Sequence, residues 1–135
     1  MTVSFVADDD LYEPVKAALE KLHFDIIRAP ARDDKNLLAK TLELGKVLIT
    51  RDTGIPSQAY AFEFAKNGLS VVVLRWKGSN ATVWQEMTLA ILRYSKEWEC
   101  IANTEPSVIS VKKNGYRARA WKNIPEAIGN LHAVT

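Results

Sequence analysis

The 135-residue chain has almost none of the residues that cross-link small proteins or bind soft metals. Its single cysteine, Cys100, has no partner for an internal disulfide and no second thiolate at zinc-site spacing. The two histidines, His23 and His132, are too far apart to form a ligand pair at helical spacing. These absences exclude a disulfide scaffold, a zinc ribbon and a histidine-based metalloprotease.

Long apolar runs and a strong charge of either sign are also missing. No run approaches the roughly 18 apolar residues of a membrane span. The apolar start at residues 3–7 is ended at once by three aspartates, so it does not resemble a secretory signal. The net charge of +2 permits a phosphate-bearing partner without requiring one. We therefore expect a cytoplasmic protein with no membrane partner.

Short apolar runs alternate with amphipathic stretches along the chain. Strands are predicted at 2–7, 24–28, 47–50 and 70–74, and helices at 11–22, from Asp33 or Asp34 to Gly45, at 57–68 and at 82–96. Asn114-Gly115 predicts a terminal hairpin. This order predicts an α/β fold: a mainly parallel twisted sheet with helices on both faces, right-handed crossovers and antiparallel strands at one edge. We expect one domain, with residues 1–121 as its body and 122–135 as its C-terminal tail.

Carboxylates follow each of the first three predicted strands, in the segments 8–10, 33–34 and 52. Ligands of open α/β sheets bind beyond the carboxyl ends of the strands, so these side chains are expected at one edge. Clustered carboxylates repel one another unless a cation lies among them, and Mg²⁺ or Mn²⁺ prefers such oxygen ligands. Taken singly, Asp33 or Asp34 also fits a helix cap, and Asp52-Thr53-Gly54 fits a turn.

Cations and an aromatic residue flank the same predicted edge. Arg51 follows the third strand, and Arg75, Trp76 and Lys77 follow the fourth. Carboxylates rimmed by cations suit a polyanion, and single-stranded bases can stack on tryptophan. The alternative for Trp76 is a strand-end aromatic that fills a gap against the next helix. The alternating arginines of the hairpin are typical of the solvated face of an edge strand.

Several of these segments resemble the PIN-like nucleases, specifically their short VapC-like branch. The shared segments cover roughly residues 3–121 and comprise Phe5-Val6-Ala7-Asp8-Asp9-Asp10-Leu11, Asp34-Lys35-Asn36-Leu37-Leu38, the strand ending in Thr50-Arg51-Asp52, residues 71–75, and Tyr116-Arg117-Ala118-Arg119. One departure concerns Gly54, because the branch commonly has a second acidic residue there. The carried-over acidic set is therefore Asp8, Asp34 and Asp52, with Asp9 as partial compensation.

The resemblance implies a PIN-like three-layer fold and a metal-dependent endoribonuclease that uses Mg²⁺ or Mn²⁺. Asp8, Asp34 and Asp52 would be catalytic, and these three with Asp9 would hold the metal. The RNA substrate would contact Thr50 and the four flanking residues, Arg51, Arg75, Trp76 and Lys77. The resemblance also implies the toxin of a toxin–antitoxin pair, with a small DNA-binding antitoxin as partner.

Two other functions fit parts of the sequence. A receiver-type phosphoacceptor domain also has an acidic pair after its first strand and an aspartate after its third, although the ending Leu74-Arg75-Trp76 lacks the expected hydroxyl. A non-catalytic PIN-like binding module would use the acids only as caps and turns. Separately, residues 60–65 carry more aromatic surface than one helix stripe needs, with Phe62 off the Tyr60–Phe64 face. Either a homodimer interface or the chain's own tail is expected to cover it.

Overall fold

The structure, a computed structural model, describes residues 4–8, 13–21, 25–28, 33–57 and 59–123. Six strands form one sheet in the order β2-β1-β3-β4-β5-β6. They are β1 (Ser4–Ala7), β2 (Ile26–Arg28), β3 (Lys46–Thr50), β4 (Ser70–Leu74), β5 (Ser107–Lys112) and β6 (Gly115–Ala120). The first five strands are parallel and β6 is antiparallel to β5. The mainly parallel sheet is thus confirmed.

Four helices cover both faces of this sheet, as predicted. They are α1 (Glu13–Lys21), α2 (Asp34–Leu44), α3 (Ala59–Lys66) and α4 (Ala81–Thr104), and short 3-10 turns lie at Ile55–Ser57 and Trp121–Asn123. Alternate strand residues face opposite layers, because side chains of a strand alternate in direction. Phe5, Val47 and Val72 pack with α1 and α4, on what we call the α1/α4 face. Val6 and Leu48 pack with α2 and α3, on the α2/α3 face.

The crossover from β4 to β5 contradicts the prediction that all crossovers are right-handed. Along the sheet, the connection from β1 to β2 runs in one direction, and its helix α1 lies on the α1/α4 face. The connections through α2 and α3 run in the opposite direction, and both helices lie on the α2/α3 face. Those three crossovers therefore share one hand. The step through α4 runs in the same direction as the α3 step, yet α4 lies on the α1 face. Its hand is thus opposite to that of the other three, against the usual preference.

The burial pattern of α4 explains this placement. The helix is 24 residues long and buries Met87, Ile91 and Trp98 against the α1/α4 face, where it also packs on α1. Without it, Val72 and Ile109 would be uncovered on that side, since α1 lies at the β1–β2 end of the sheet. Burial of these apolar side chains favours the placement of α4 on this face, in opposition to the preference for right-handed crossovers.

Two predictions for the C-terminal part of the fold were wrong: the end of the fourth helix and the number of antiparallel strands. The fourth helix continues to Thr104 rather than ending near residue 96, because Trp98 is fully buried and lies edge-on to Tyr116, with ring centroids 6.3 Å apart. The hairpin contributes one antiparallel edge strand rather than two, since β5 pairs in parallel with β4. Its turn residues are Lys113 and Asn114, and Gly115 pairs with Lys112.

The aromatic segment 60–65 is partly covered by the chain itself. Phe62 is 7% exposed and packs edge-on against Trp121, with ring centroids 5.2 Å apart. The Trp121 backbone N–H donates to the Pro106 carbonyl at 3.0 Å, which fixes the tryptophan there. The residue that suggested an interface anchor is therefore buried within the chain, and a homodimer stays a prediction. The predicted C-terminal tail lies outside the described residues from residue 124 onward.

No helix within the described ranges has the length and apolarity needed to cross a membrane.

Candidate carboxylate site

Asp8 and Asp52 are brought together because β1 and β3 are neighbouring parallel strands. The Thr50 hydroxyl donates to Oδ2 of Asp8 at 2.6 Å, and the Thr50 Oγ1 also accepts the backbone N–H of Asp52 at 3.0 Å. The Asp8 backbone N–H donates to the Ile49 carbonyl at 3.0 Å, which extends the pairing of the two strands. Thr50 is fully buried, so this hydroxyl orients both aspartates rather than contacting a substrate.

Asp52 is fixed by a second local hydrogen bond. Its Oδ1 accepts a hydrogen bond from the backbone N–H of Gly54 at 2.8 Å. This bond forms an Asx turn, the kind of turn expected from the sequence. A Cβ added at Gly54 would lie 3.2 Å from that same oxygen. Any side chain at position 54 would therefore crowd the Asp52 carboxylate. The departure from the VapC-like pattern thus has a local physical consequence at the site.

The sequence left open which of the two aspartates at the start of α2 is the helix cap, and the structure gives them different positions. Asp33 is the N-cap: its Oδ1 accepts from the backbone N–H of Asn36 at 2.8 Å and its Oδ2 from the Asn36 side chain at 2.9 Å. Asp34 is the first helical residue and is partly buried. Burial raises the pKa of the Asp34 carboxyl, and the charges of Asp52, Asp8 and Asp33 raise it further. Asp34 therefore shares one electrostatic environment with Asp8 and Asp52.

Tyr60 also belongs to this environment and was not predicted from the sequence. The pKa of its hydroxyl is raised by burial and then by the charges of Asp34, Asp33 and Asp52. Tyr60 lies in the first turn of α3, the helix that follows β3. The first turn of such a helix lies at the carboxyl edge of the sheet, so the rule that located the aspartates could also have located this residue.

The arginine at the end of β2 contacts the backbone of the site. Arg28 Nη1 donates to the backbone carbonyl of Asp8 at 3.2 Å. Within the described part of the chain, none of the ion pairs involves the carboxylates of Asp8, Asp34 or Asp52. Their mutual repulsion is therefore not neutralised by a basic side chain there.

The donor set has the right chemistry for a hard divalent cation but is not closed around a point. No three His, Cys, Asp or Glu side chains among the described residues converge into a metal-holding group. Asp9, the fourth predicted ligand, lies outside those residues. Mg²⁺ is usually held by one or two carboxylates while water and phosphate oxygens complete its shell. The pair Asp8 and Asp52, with Asp34 beside it, meets that requirement.

Arg51 was predicted to contact substrate, but the structure directs it to the loop between β4 and α4. Its Nη2 donates to the carbonyls of Trp76 at 2.9 Å and Gly78 at 2.6 Å, and Nη1 donates to the Ser79 hydroxyl at 3.3 Å. Strand alternation explains the difference, since Thr50 is on the α2/α3 face and the next side chain is on the other. Arg51 thus positions the loop.

The other three flanking residues separate into two environments. Trp76 is half-buried against the α1/α4 core, and its Nε1 donates to Glu86 at 3.3 Å, which matches the gap-filling alternative. Arg75 and Lys77 are exposed. The Arg75 backbone N–H donates to the Val111 carbonyl at 2.8 Å, so Arg75 continues the pairing of β4 with β5.

The chain matches no known family model, and neither a curated protein nor a solved structure is significantly similar to it. These comparisons therefore assign no function to the chain.

Proposed function

We propose that the chain is a metal-dependent ribonuclease of PIN-like type, in which Asp8, Asp34 and Asp52 hold Mg²⁺ or Mn²⁺. One observation carries the proposal: the Thr50 hydroxyl joins Asp8 to Asp52 at the sheet edge, and the pKa of the partly buried Asp34 carboxyl is raised by burial and by the charges of these two aspartates. Concentrating negative charge at a sheet edge destabilises the fold unless a cation offsets it. A bound divalent ion supplies that offset.

The hydrogen bonds of the site leave coordinating oxygens available. Oδ2 of Asp8 accepts the hydrogen bond from the Thr50 hydroxyl, and Oδ1 of Asp52 accepts the one from the Gly54 backbone N–H. The other oxygen of each carboxylate is open to a ligand. The same two bonds fix the side-chain rotamers, which preorganises the pair. When bound, a divalent ion activates a coordinated water and stabilises the charge that develops in phosphodiester cleavage.

The test of catalysis is the substitution Asp8→Asn. Asparagine keeps an oxygen that can accept the Thr50 hydrogen bond, so the fold should be retained. We expect cleavage of a single-stranded RNA oligonucleotide in Mn²⁺ to be abolished. The control is Glu43→Gln, the same kind of change at an exposed surface ion pair with Lys40, which should cleave like the wild type. Unchanged cleavage by Asp8→Asn would contradict the mechanism.

Metal binding is measured separately from catalysis. An ion that binds only the folded state raises the melting temperature. Mn²⁺ should therefore raise the melting temperature of the wild type and of Glu43→Gln, and should have little effect on Asp8→Asn. Metal binding without RNA cleavage would favour the non-catalytic PIN-like binding module instead.

A receiver-type phosphoacceptor is the second candidate, and the strand order favours it. The order β2-β1-β3-β4-β5 is the flavodoxin-like one, with Asp8 and Asp52 at the switch point between β1 and β3. Against it, β4 ends at Leu74 and is followed by Arg75, so no hydroxyl side chain is placed there. Incubation with acetyl phosphate decides between them, because a receiver would be labelled on Asp52 and the proposed nuclease would not.

The biological setting that we propose is a toxin–antitoxin pair, in which a small DNA-binding antitoxin restrains the nuclease. This part rests on the resemblance of the Thr50-Arg51-Asp52 strand end to the VapC-like branch. Induced expression of the chain alone should arrest growth, and Asp8→Asn should relieve the arrest. Normal growth with the wild-type chain expressed at a high level would remove the toxin role while leaving the nuclease proposal to its own test.

A further inference from the structure

Four basic side chains lie together on the α2/α3 face at the β4–β6 end of the sheet. Alternation from Val73 puts Arg75 on this face, and alternation from Val108 puts Lys112 there. In the antiparallel pair, Arg119 is opposite Val108 and Arg117 is opposite Ser110, so both arginines share it. We call Arg75, Lys112, Arg117 and Arg119 the cationic face. All four side chains are exposed.

The acidic residues near the hairpin are paired with other groups. Glu86 pairs with Lys113 at 3.2 Å, Glu105 pairs with Lys122 at 3.1 Å, and Glu97 accepts the Tyr116 hydroxyl at 2.8 Å. Among the residues that the structure describes, no acidic side chain pairs with a member of the cationic face. Its charge is therefore available to a partner.

The cationic face leads to the edge of the sheet that holds the carboxylates. An open groove of about 540 Å³ lies at the end of the cationic face nearest the carboxyl ends of β4 and β5, and its lining includes Arg75, Ser110, Lys112 and Arg117. Arg75 and Lys112 stand at the carboxyl ends of β4 and β5, and Asp52 follows β3 at the same edge. Strands are about 4.8 Å apart, so β3 and β5 are separated by roughly 10 Å.

We propose that the cationic face binds the sugar–phosphate backbone of a single-stranded RNA segment that extends from the carboxylate site. The inference rests on the proposed nuclease function and names where its substrate continues. Arg117 and Arg119 are two residues apart on a strand, hence about 6.8 Å apart, which is comparable to the spacing of phosphates along an extended single strand. Guanidinium groups match phosphate in geometry and bind it in bidentate fashion.

Backbone contacts of this kind predict binding without sequence preference, and a defined dependence on salt. Each phosphate neutralised in single-stranded nucleic acid adds about −0.7 to the slope of log K against log salt. Four contacts predict a slope near −2.8, by the same relation. Removing two of them should lower its magnitude by about 1.4 and weaken binding about 25-fold in 0.1 M salt.

The experiment measures binding of a fluorescent single-stranded RNA to the full chain in EDTA, so that cleavage plays no part. The variant is Arg117→Gln/Arg119→Gln. The matched control is Arg93→Gln/Lys96→Gln, which removes the same net charge from exposed positions of α4 on the opposite side of the sheet. We expect the smaller salt slope and the weaker binding only in the hairpin variant.

Three outcomes would overturn the proposal: no RNA binding by the wild type, equal losses in the two double variants, or competition by polyglutamate as effective as competition by RNA. The last would indicate an acidic protein segment as the occupant. Failure of the nuclease proposal gives a different result. Either the wild type would not cleave RNA, or Asp8→Asn would cleave it as the wild type does, while the salt slope of the hairpin variant would still fall.

Discussion

The substitution Thr50→Val tests whether one buried hydroxyl organises the carboxylate site. Valine has nearly the shape of threonine, so the change removes the hydroxyl while the packing is kept. It deletes the bond donated to Asp8 at 2.6 Å and the bond accepted from the Asp52 backbone N–H at 3.0 Å. The Asp52 N–H then loses a partner beside a fully buried position.

The expected cost follows from the two bonds. A hydrogen bond to a charged carboxylate contributes about 1.5–3 kcal/mol and a neutral one about 0.5–1.5 kcal/mol. Valine regains about 0.8 kcal/mol from the buried methyl group, so we expect a loss of about 1–4 kcal/mol in the free energy of unfolding. Because Asp8 and Asp52 also lose their common anchor, the stabilisation by Mn²⁺ should fall in the same variant.

The chain contains a matched control in Thr41, which is also a fully buried threonine. Its hydroxyl donates to the Leu37 carbonyl at 2.8 Å within α2. That carbonyl keeps its helical backbone bond when the hydroxyl is removed, so Thr41→Val should cost about 0–1 kcal/mol. It should not change the response to Mn²⁺.

Urea unfolding of both variants, with and without Mn²⁺, is the assay. The comparison is between two identical substitutions at equal burial, so transfer and cavity effects largely cancel. Equal losses of unfolding free energy would show that the Thr50 hydroxyl is no more than an ordinary buried hydroxyl. A full Mn²⁺ response in Thr50→Val would show that the metal does not depend on the arrangement of Asp8 and Asp52.

Three further predictions address the electrostatics, the backbone and the loop. Asp52→Asn should lower the pKa of Asp34, measured by NMR titration. Because the pKa of Asp34 is raised in the folded state, the free energy of unfolding should fall as the pH rises through that pKa, and this fall should be smaller in the variant. Lys46→Gly should stabilise the fold by about 0.5–1 kcal/mol in urea unfolding, since Lys46 has a left-handed φ of 76° that favours glycine. Arg51→Lys should speed amide hydrogen exchange in the loop that contains Gly78, because a single ammonium replaces a guanidinium that reaches three acceptors.

Each of these predictions has a control within the chain. Glu43→Gln should leave the titration of Asp34 unchanged, and a shift of equal size would implicate net charge instead of proximity. Lys40→Gly, in the interior of α2, should lower the free energy of unfolding by about 1 kcal/mol. A similar loss of stability in Lys46→Gly would contradict the argument from the left-handed φ of Lys46. Arg75→Lys should leave exchange of the loop unchanged, since the Arg75 side chain is exposed.

Local periodicity was sufficient to predict the strands and the edge at which the aspartates meet. β4 matches the predicted strand 70–74 in full, because all five of its residues are buried and turn residues bound it. The Asp33 cap and the turn at Asp52 were also readable, since both depend on neighbours within three residues. What these local signals do not contain is which face a crossover helix covers.

The role of Arg51 illustrates the part that sequence could not predict. Its position next to Asp52 suggested a substrate contact, and only the placement of α4 shows what the guanidinium reaches. The helix α4 lies on the α1 face, so the loop from β4 must pass to that side before the helix begins at Ala81. Arg51, on the same side of β3, binds that loop.

The unusual crossover and the un-neutralised carboxylates are therefore linked. Arg51 donates to backbone carbonyls of the loop and Arg28 donates to the Asp8 carbonyl, and among the described residues neither guanidinium is paired with the carboxylate of Asp8, Asp34 or Asp52. A fold whose only requirement was stability would gain by pairing those charges directly, since burial beside Asp52 and Asp8 raises the pKa of Asp34 and so costs free energy at neutral pH. The arrangement instead keeps the carboxylates accessible while it fixes their geometry through Thr50. That combination is what a site for an external cation requires.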